Sequence, residues 1–123
     1  MGNDADLSPE DLFRGFPDGL AICHRVQQVV STIGTASVAV TMSQVTFRRR
    51  RGFAYVWRPG RYVDSDVPAV LSLALSHELT SDRFKSVVHP SKNIWMHHIE
   101  LCDVHQVDDE VRGWLADAYS SAG

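Results

Sequence analysis

The segment from Phe47 to Trp57, F-R-R-R-R-G-F-A-Y-V-W, constrains the fold of this chain more than any other. Four consecutive arginines meet a glycine, after which aromatic residues alternate with small or branched apolar residues. A period of two is typical of a β-strand, and a glycine between two such runs is typical of a hairpin connection. The segment therefore predicts a β-hairpin with concentrated positive charge at its tip.

The register of this hairpin decides what its side chains can do. If the loop holds two or four residues, Arg48 and Arg50 share a face with the three aromatic residues of the second arm, Phe53, Tyr55 and Trp57. Such a face would be a basic and aromatic platform, suited to stacking bases or to holding anions.

A three-residue loop with a left-handed glycine gives the opposite result, because Tyr55 and Trp57 then point into the core together with Phe47. We favour this register, since large aromatic side chains on a solvated face would form an apolar patch that needs a partner. The predicted core face is Val38, Val40, Val45, Phe47, Tyr55, Trp57, Leu71, Leu73, Leu75, Ile99 and Leu101. The predicted opposite face is Ala39, Thr41, Thr46, Arg48, Ala54, Ser72, Ala74, His98 and Glu100.

Helical and strand periods alternate along the rest of the chain. Ser8 and Pro9 predict the start of a short helix, Pro17 begins a longer one, and Gly34 is placed to cap its end. The predicted apolar stripe of that helix is Leu20, Ile22, Cys23, Val26, Val29, Val30 and Ile33. Further predicted elements are strands over 38–42, 70–75 and 94–101, a short helix between Thr80 and His89, and a final helix over 107–118.

This order of elements predicts an α+β fold, in which a single antiparallel sheet of about five strands has the N- and C-terminal helices packed on one face. The 123 residues fit one domain, 1–123, with residues 1–7 expected to be disordered. The content of 44% hydrophobic residues and the net charge of −3 are typical of a soluble globular protein and not of a general nucleic-acid binder. No secretory signal or membrane span is predicted, and the two cysteines are expected to be reduced, so the expected location is the cytoplasm.

Three motifs carry a family resemblance: residues 43–57, R-F-K-S-V-V at 83–88 and W-M-H-H-I-E-L at 95–101. An F-R-G-F-P opening and a D-D-E-V-R-G-W-L ending extend the similarity over nearly the whole chain. With these motifs the chain resembles a family of small bacterial α+β domains with no assigned function, found alone or at the end of longer proteins. The resemblance implies the fold and a bacterial, intracellular setting, and it implies no activity, ligand or catalytic residue.

The candidate site residues are Arg48, Arg50, His98 and Glu100, a tentative ligand-binding set on the polar sheet face. His98 and Glu100 are two positions apart, so they share a face of their strand, and a histidine–carboxylate pair can move protons or ligate a metal. A cross-strand ion pair between Glu100 and an arginine explains the same pattern. His97 points the other way, where a hydrogen-bonded core histidine is expected.

These residues favour a small intracellular binding or interaction module, whose polar sheet face would hold an anionic ligand or a partner such as a second copy. One alternative is weak, salt-sensitive nucleic-acid binding through the four arginines. The same arginines are also consistent with a solvated hairpin tip or with an anion site. The other is an enzyme that uses His98 and Glu100 as an acid–base pair. The sequence contains no recognisable catalytic or nucleotide-binding motif, and no cofactor or metal is predicted.

Overall fold

The computed structural model of the protein describes residues 7–123. The strands are β1 (Ser37–Val40), β2 (Val45–Arg48), β3 (Gly52–Trp57), β4 (Ala69–Leu75), β5 (Ser86–Ser91) and β6 (Ile94–Leu101). The helices are α1 (Pro9–Leu12), α2 (Pro17–Ile33) and α3 (Asp109–Ser121). The strands form a single antiparallel sheet in the order β1-β2-β3-β4-β6-β5. The predicted α+β class is confirmed, with six strands instead of about five, and the N- and C-terminal helices pack against the sheet.

The N-terminal helices begin where the sequence indicates. The Ser8 hydroxyl accepts a hydrogen bond from the Asp11 N–H, and the Asp11 carboxylate accepts one from the Ser8 N–H, so α1 has a complete capping box. Gly15, with φ +83°, turns the chain before Pro17 starts α2. Of the segment 1–7 predicted to be disordered, residues 1–6 lie outside the described residues, and Leu7 packs against the core.

The core lies between one face of the sheet and the two long helices. The residues that α2 buries are Gly19, Ile22, Cys23, Val26, Val29 and Val30, and they include most of the predicted stripe. Val111, Leu115 and Ala118 of α3 are fully buried against the same sheet face. Among residues 7–123, no α-helix packs on the opposite face of the sheet, and we call it the open face.

The favoured hairpin register is wrong. Phe47 pairs with Ala54 and Val45 pairs with Val56, so all four side chains point into the core. Tyr55 and Trp57 point to the open face, where both are half-buried. The observed register is the one expected for a loop of two or four residues, except that Phe53 points into the core.

Phe53 is an extra residue in β3, because Phe47 pairs with Ala54 while the next residue, Arg48, pairs with Gly52. At such a bulge two consecutive side chains can point to the same face. Phe53 is accordingly fully buried, and its ring packs edge to face with that of Tyr119 of α3, with 5.5 Å between the ring centroids. The bulge therefore places Phe53 in the core, while Tyr55 and Trp57 stay on the open face.

The prediction of a short helix between Thr80 and His89 is also wrong, because Ser86–Ser91 form β5, which pairs with β6. The Ser81 hydroxyl does accept a hydrogen bond from a backbone N–H, that of Arg83, but this closes only a local turn. Val87 and Val88 are β-branched and favour a strand, and the two-residue turn after Ser91 brings β5 directly against β6. Pro90 is tolerated because β5 is at the edge of the sheet.

Both cysteines are free thiols, with Cys23 buried and Cys102 exposed. Burial raises the pKa of the Cys23 thiol to about 12, so it behaves as an inert core side chain. Within residues 7–123, no helix has the length and apolar character that crossing a membrane requires.

Candidate functional site

The structure brings together two of the four predicted site residues. His98 and Glu100 lie side by side on the open face of β6. Arg48 also faces this side, but it is on β2, and three strand spacings separate β2 from β6, roughly 14 Å. Arg50 lies in the connection between β2 and β3, two residues after Arg48, and so away from His98 and Glu100 on β6.

Residues 49–51, which we call the arginine loop, contact the C-terminal end of α3. The Arg49 guanidinium donates to the carbonyl of Tyr119 at 3.3 Å and lies over its ring, 4.4 Å from the centroid. The Arg50 N–H donates to the carbonyl of Ala122 at 3.1 Å. The last carbonyls of a helix have no partner within the helix, and positive charge is favourable beside them. The arginine loop therefore serves as a cap for α3, a role that the sequence analysis did not consider.

A hydrogen-bonded chain of three side chains crosses the open face from β3 through β4 to β6. Trp57 Nε1 donates to Ser72 Oγ at 2.8 Å, and Ser72 Oγ lies 2.6 Å from Nδ1 of His98. Ser72 is only 3% exposed, and the rings of Trp57 and His98 meet edge to face at 6.2 Å. We call these residues the Trp57–Ser72–His98 chain, and it fixes the position of the His98 imidazole.

The partner of His98 is thus Ser72 and not Glu100. Burial lowers the pKa of His98, and the positive charge that nearby His97 can carry lowers it further, so the imidazole is neutral at neutral pH. A neutral imidazole held by one ring nitrogen can bind a ligand with the other.

A cavity of about 350 Å³ opens beside this chain, which is within the range of small-molecule sites. It is lined by Trp57, Pro59, Val70, Lys85, Ser86, His98 and Glu100. Trp57, Pro59 and Val70 form an apolar wall, and Tyr62 packs edge-on against Trp57 at 6.0 Å. The remaining residues supply one cationic, one anionic and two uncharged polar side chains, so the site can hold a molecule that is partly apolar and partly polar.

Two other cavities are larger. One of about 470 Å³ is lined by Arg25, His105 and the start of α3, and one of about 420 Å³ lies between the end of α2 and β1. Neither is lined by a residue of the Trp57–Ser72–His98 chain. Among residues 7–123, no cluster of three or more His, Cys, Asp or Glu residues could hold a metal ion.

The second histidine, His97, is a core residue as the sequence predicts. Its side chain is fully buried, and its Nε2 accepts from the N–H of Leu79 at 3.0 Å while Nδ1 donates to the carbonyl of Trp95 at 3.0 Å. The bond to Leu79 connects the segment after β4 to the sheet, and the bond to Trp95 lies within β6. Burial lowers the pKa of His97.

Sequence reasoning missed the site roles of Trp57, Ser72, Lys85 and Ser86. Trp57 was assigned to the core, and Lys85 and Ser86 to a helix. Ser72 was placed on the correct face without a role, although it is the single polar residue of the strand A-V-L-S-L-A-L. A lone hydroxyl in a buried strand needs a hydrogen-bond partner, and that was the available signal.

Comparison with protein families gives one result. Residues 10–122 match the family described as "Domain of unknown function (DUF5655)". The chain belongs to this family. The match covers nearly all of residues 7–123, which the structure describes, and it confirms the resemblance to an uncharacterised domain family. No curated protein and no solved structure was found to match the chain.

Proposed function

We propose that this domain is a small binding module that holds a small organic anion in the cavity beside Trp57 and His98. The observation that carries the proposal is the Trp57–Ser72–His98 chain. Burying a hydroxyl in a sheet costs stability unless it is hydrogen-bonded, and an apolar residue would fill the same position in the strand without that cost. Ser72 instead orients an imidazole at a cavity, which is the arrangement that ligand recognition needs.

The lining of the cavity indicates the class of ligand. The apolar wall of Trp57, Pro59 and Val70 suits a ring or a short hydrocarbon. Lys85 supplies a positive charge at the rim, and Ser86 supplies a hydroxyl donor. Glu100 lines the same cavity and disfavours a second negative charge. A monocarboxylate with an apolar body, such as an aromatic acid, therefore fits better than a polyphosphate.

An enzyme that uses His98 and Glu100 is less well supported. The hydrogen bond of His98 Nδ1 is made with Ser72, so Glu100 does not orient the imidazole. Ser72 is a poor nucleophile candidate because it is buried and its oxygen already accepts from Trp57. Binding without chemistry needs none of these groups to be reactive.

Nucleic-acid binding is also less well supported, because Arg49 and Arg51 donate to the end of α3. Two of the four side chains in the arginine run are thus hydrogen-bonded within the protein, and affinity for DNA or RNA depends on the number of phosphates neutralised. A reducing, intracellular setting is part of the proposal, and the exposed free thiol of Cys102 is compatible with it.

Nuclear magnetic resonance can test the proposal with benzoate as the probe. Titration of the ¹⁵N-labelled domain with benzoate should shift backbone signals of β3, β4 and β6 around the cavity in a saturable way. His98→Ala should weaken this response about fivefold or more, since a hydrogen bond to a charged group is lost. The matched control is His105→Ala, which changes an exposed histidine beside a different cavity.

Two results would contradict the proposal. One is the absence of any shift around His98 at millimolar benzoate. The other is a response of equal size in the His98→Ala and His105→Ala variants. Concentration-dependent changes across the whole open face without ligand would instead favour its use as an interface with a second copy.

A further inference from the structure

The Trp57–Ser72–His98 chain has a direction that its atoms determine. The indole N–H of Trp57 can only donate, so Ser72 Oγ accepts in that bond. The hydroxyl of Ser72 has a single proton, and because the residue is 3% exposed, that proton needs an acceptor within the protein. Among residues 7–123, the acceptor within reach is Nδ1 of His98 at 2.6 Å.

We infer that Ser72 holds His98 in the tautomer with its proton on Nε2, and that the site therefore selects a ligand oxygen that accepts a hydrogen bond from Nε2. This inference rests on the proposed function and specifies the recognition. A neutral imidazole that accepts at Nδ1 must donate at Nε2. This N–H can bind a ligand atom that has a free lone pair, such as a carboxylate oxygen. It cannot bind an ammonium group, which only donates.

The same tautomer disfavours a metal ion at His98. A metal needs an unprotonated ring nitrogen, and the one such atom, Nδ1, is directed at the buried hydroxyl of Ser72. Binding at Nδ1 would break the bond to Ser72, and binding at Nε2 would require the proton to move to Nδ1. A proton on Nδ1 would face the hydroxyl proton of Ser72 across 2.6 Å. To avoid this, the hydroxyl would have to turn away and leave its proton without an acceptor.

Ser72 is thus a positioning residue, and its effect on His98 should be visible in the histidine spectrum. In the native protein at neutral pH, the ¹⁵N signals of His98 should show a protonated Nε2 and an unprotonated Nδ1. The reverse assignment would overturn the inference directly, whatever ligand binds. This measurement needs no ligand, so it succeeds or fails independently of the proposed function.

Ser72→Ala should raise the pH at which His98 titrates, because the hydroxyl stabilises only the neutral ring by donating to Nδ1. It should also weaken benzoate binding about fivefold, since the ring loses its orientation. A purely structural role for Ser72 would leave the His98 titration unchanged, and that result would overturn the inference. If this variant does not fold, the ¹⁵N signals of His98 in the native protein decide the inference by themselves.

Ligand selectivity completes the test. Benzoate should perturb the His98 ring, while benzylamine and Zn²⁺ at the same concentration should not. Perturbation by Zn²⁺ with loss of the Nε2 proton would overturn the selectivity for acceptors. If benzoate does not bind but the Nε2 tautomer is present, the proposed function and the ligand class fail together, and the assignment of the tautomer stands.

Discussion

The guanidinium of Arg51 donates a hydrogen bond of 2.6 Å to the main-chain carbonyl of Ser121, which lies 70 residues further along the chain. Together with the contacts of Arg49 and Arg50, it connects the tip of the β2–β3 hairpin to the end of α3. The most basic segment of the chain is therefore placed beside the partial negative charge of a helix C-terminus.

Arg51→Ala should lower the free energy of unfolding by about 1 kcal/mol, because one unpaired helix carbonyl loses a charged donor. The matched control is Arg50→Ala, since Arg50 contacts Ala122 through its backbone N–H, which the substitution keeps. Urea denaturation of both variants measures the difference. Equal losses of stability would mean that the overall charge of the loop matters and the cap does not.

Two helical glycines should respond to alanine with opposite signs. A Cβ on Gly19 would lie 2.7 Å from the ring of Phe13 and 2.7 Å from the carbonyl oxygen of Pro68, so Gly19→Ala should destabilise the fold by about 1–3 kcal/mol through overpacking. A Cβ on Gly113 would meet no atom within 4 Å. Gly113→Ala should stabilise α3 by about 0.5–1 kcal/mol through its higher helix propensity. Thermal and urea unfolding of the two variants check both signs, and stabilisation by Gly19→Ala would show that α2 sits further from Pro68.

The bulge in β3 predicts an energetic coupling between Gly52 and Tyr55. A Cβ on Gly52 would meet the hydroxyl group of Tyr55, which extends along the open face. Gly52→Ala should therefore be destabilising in the native background and less so together with Tyr55→Ala. A double-mutant cycle in urea measures the coupling, expected at about 0.5 kcal/mol or more. Strict additivity would contradict the observed register.

Stability should fall as the pH drops below about 6.5, the ordinary pKa of histidine. Burial lowers the pKa of His97 from 6.5 in the folded state, so the unfolded chain binds a proton first. The stability that neutral His97 contributes is complete above 6.5 and is lost as the pH falls toward its folded-state pKa. His98 contributes with the same sign, because its folded-state pKa is also lowered.

Urea midpoints measured from pH 7.5 to pH 5 test this dependence. His97→Gln should be less stable at pH 7.5, because the bonds to Leu79 and Trp95 are disturbed, and its stability should vary less with pH. His98→Gln serves as the comparison, since it leaves His97 in place and should keep part of the slope. A wild-type midpoint that is constant between pH 7.5 and pH 5 would contradict the prediction.

Local sequence patterns predicted those parts of the fold that local interactions decide. Ser8 and Asp11 form their capping box within one helical turn, and the stripe of α2 follows from a period that neighbouring residues set. The strand over 94–101 and the acidic first turn of α3 follow in the same way. His97 was predicted to be a hydrogen-bonded core residue because alternation in β6 placed it opposite His98.

Only the tertiary structure decided the faces of β3, the nature of β5 and the composition of the site. One bulge residue, Phe53, shifts the face of every later residue in its strand, and no local signal distinguishes it from a longer loop. The spacing of Phe84, Val87 and Val88 fits a helix, and the pairing with β6 decides that this segment forms a strand. The Trp57–Ser72–His98 chain joins three strands that are distant in the sequence, so the sequence determined which side chains were available, and the register of the sheet determined which of them meet.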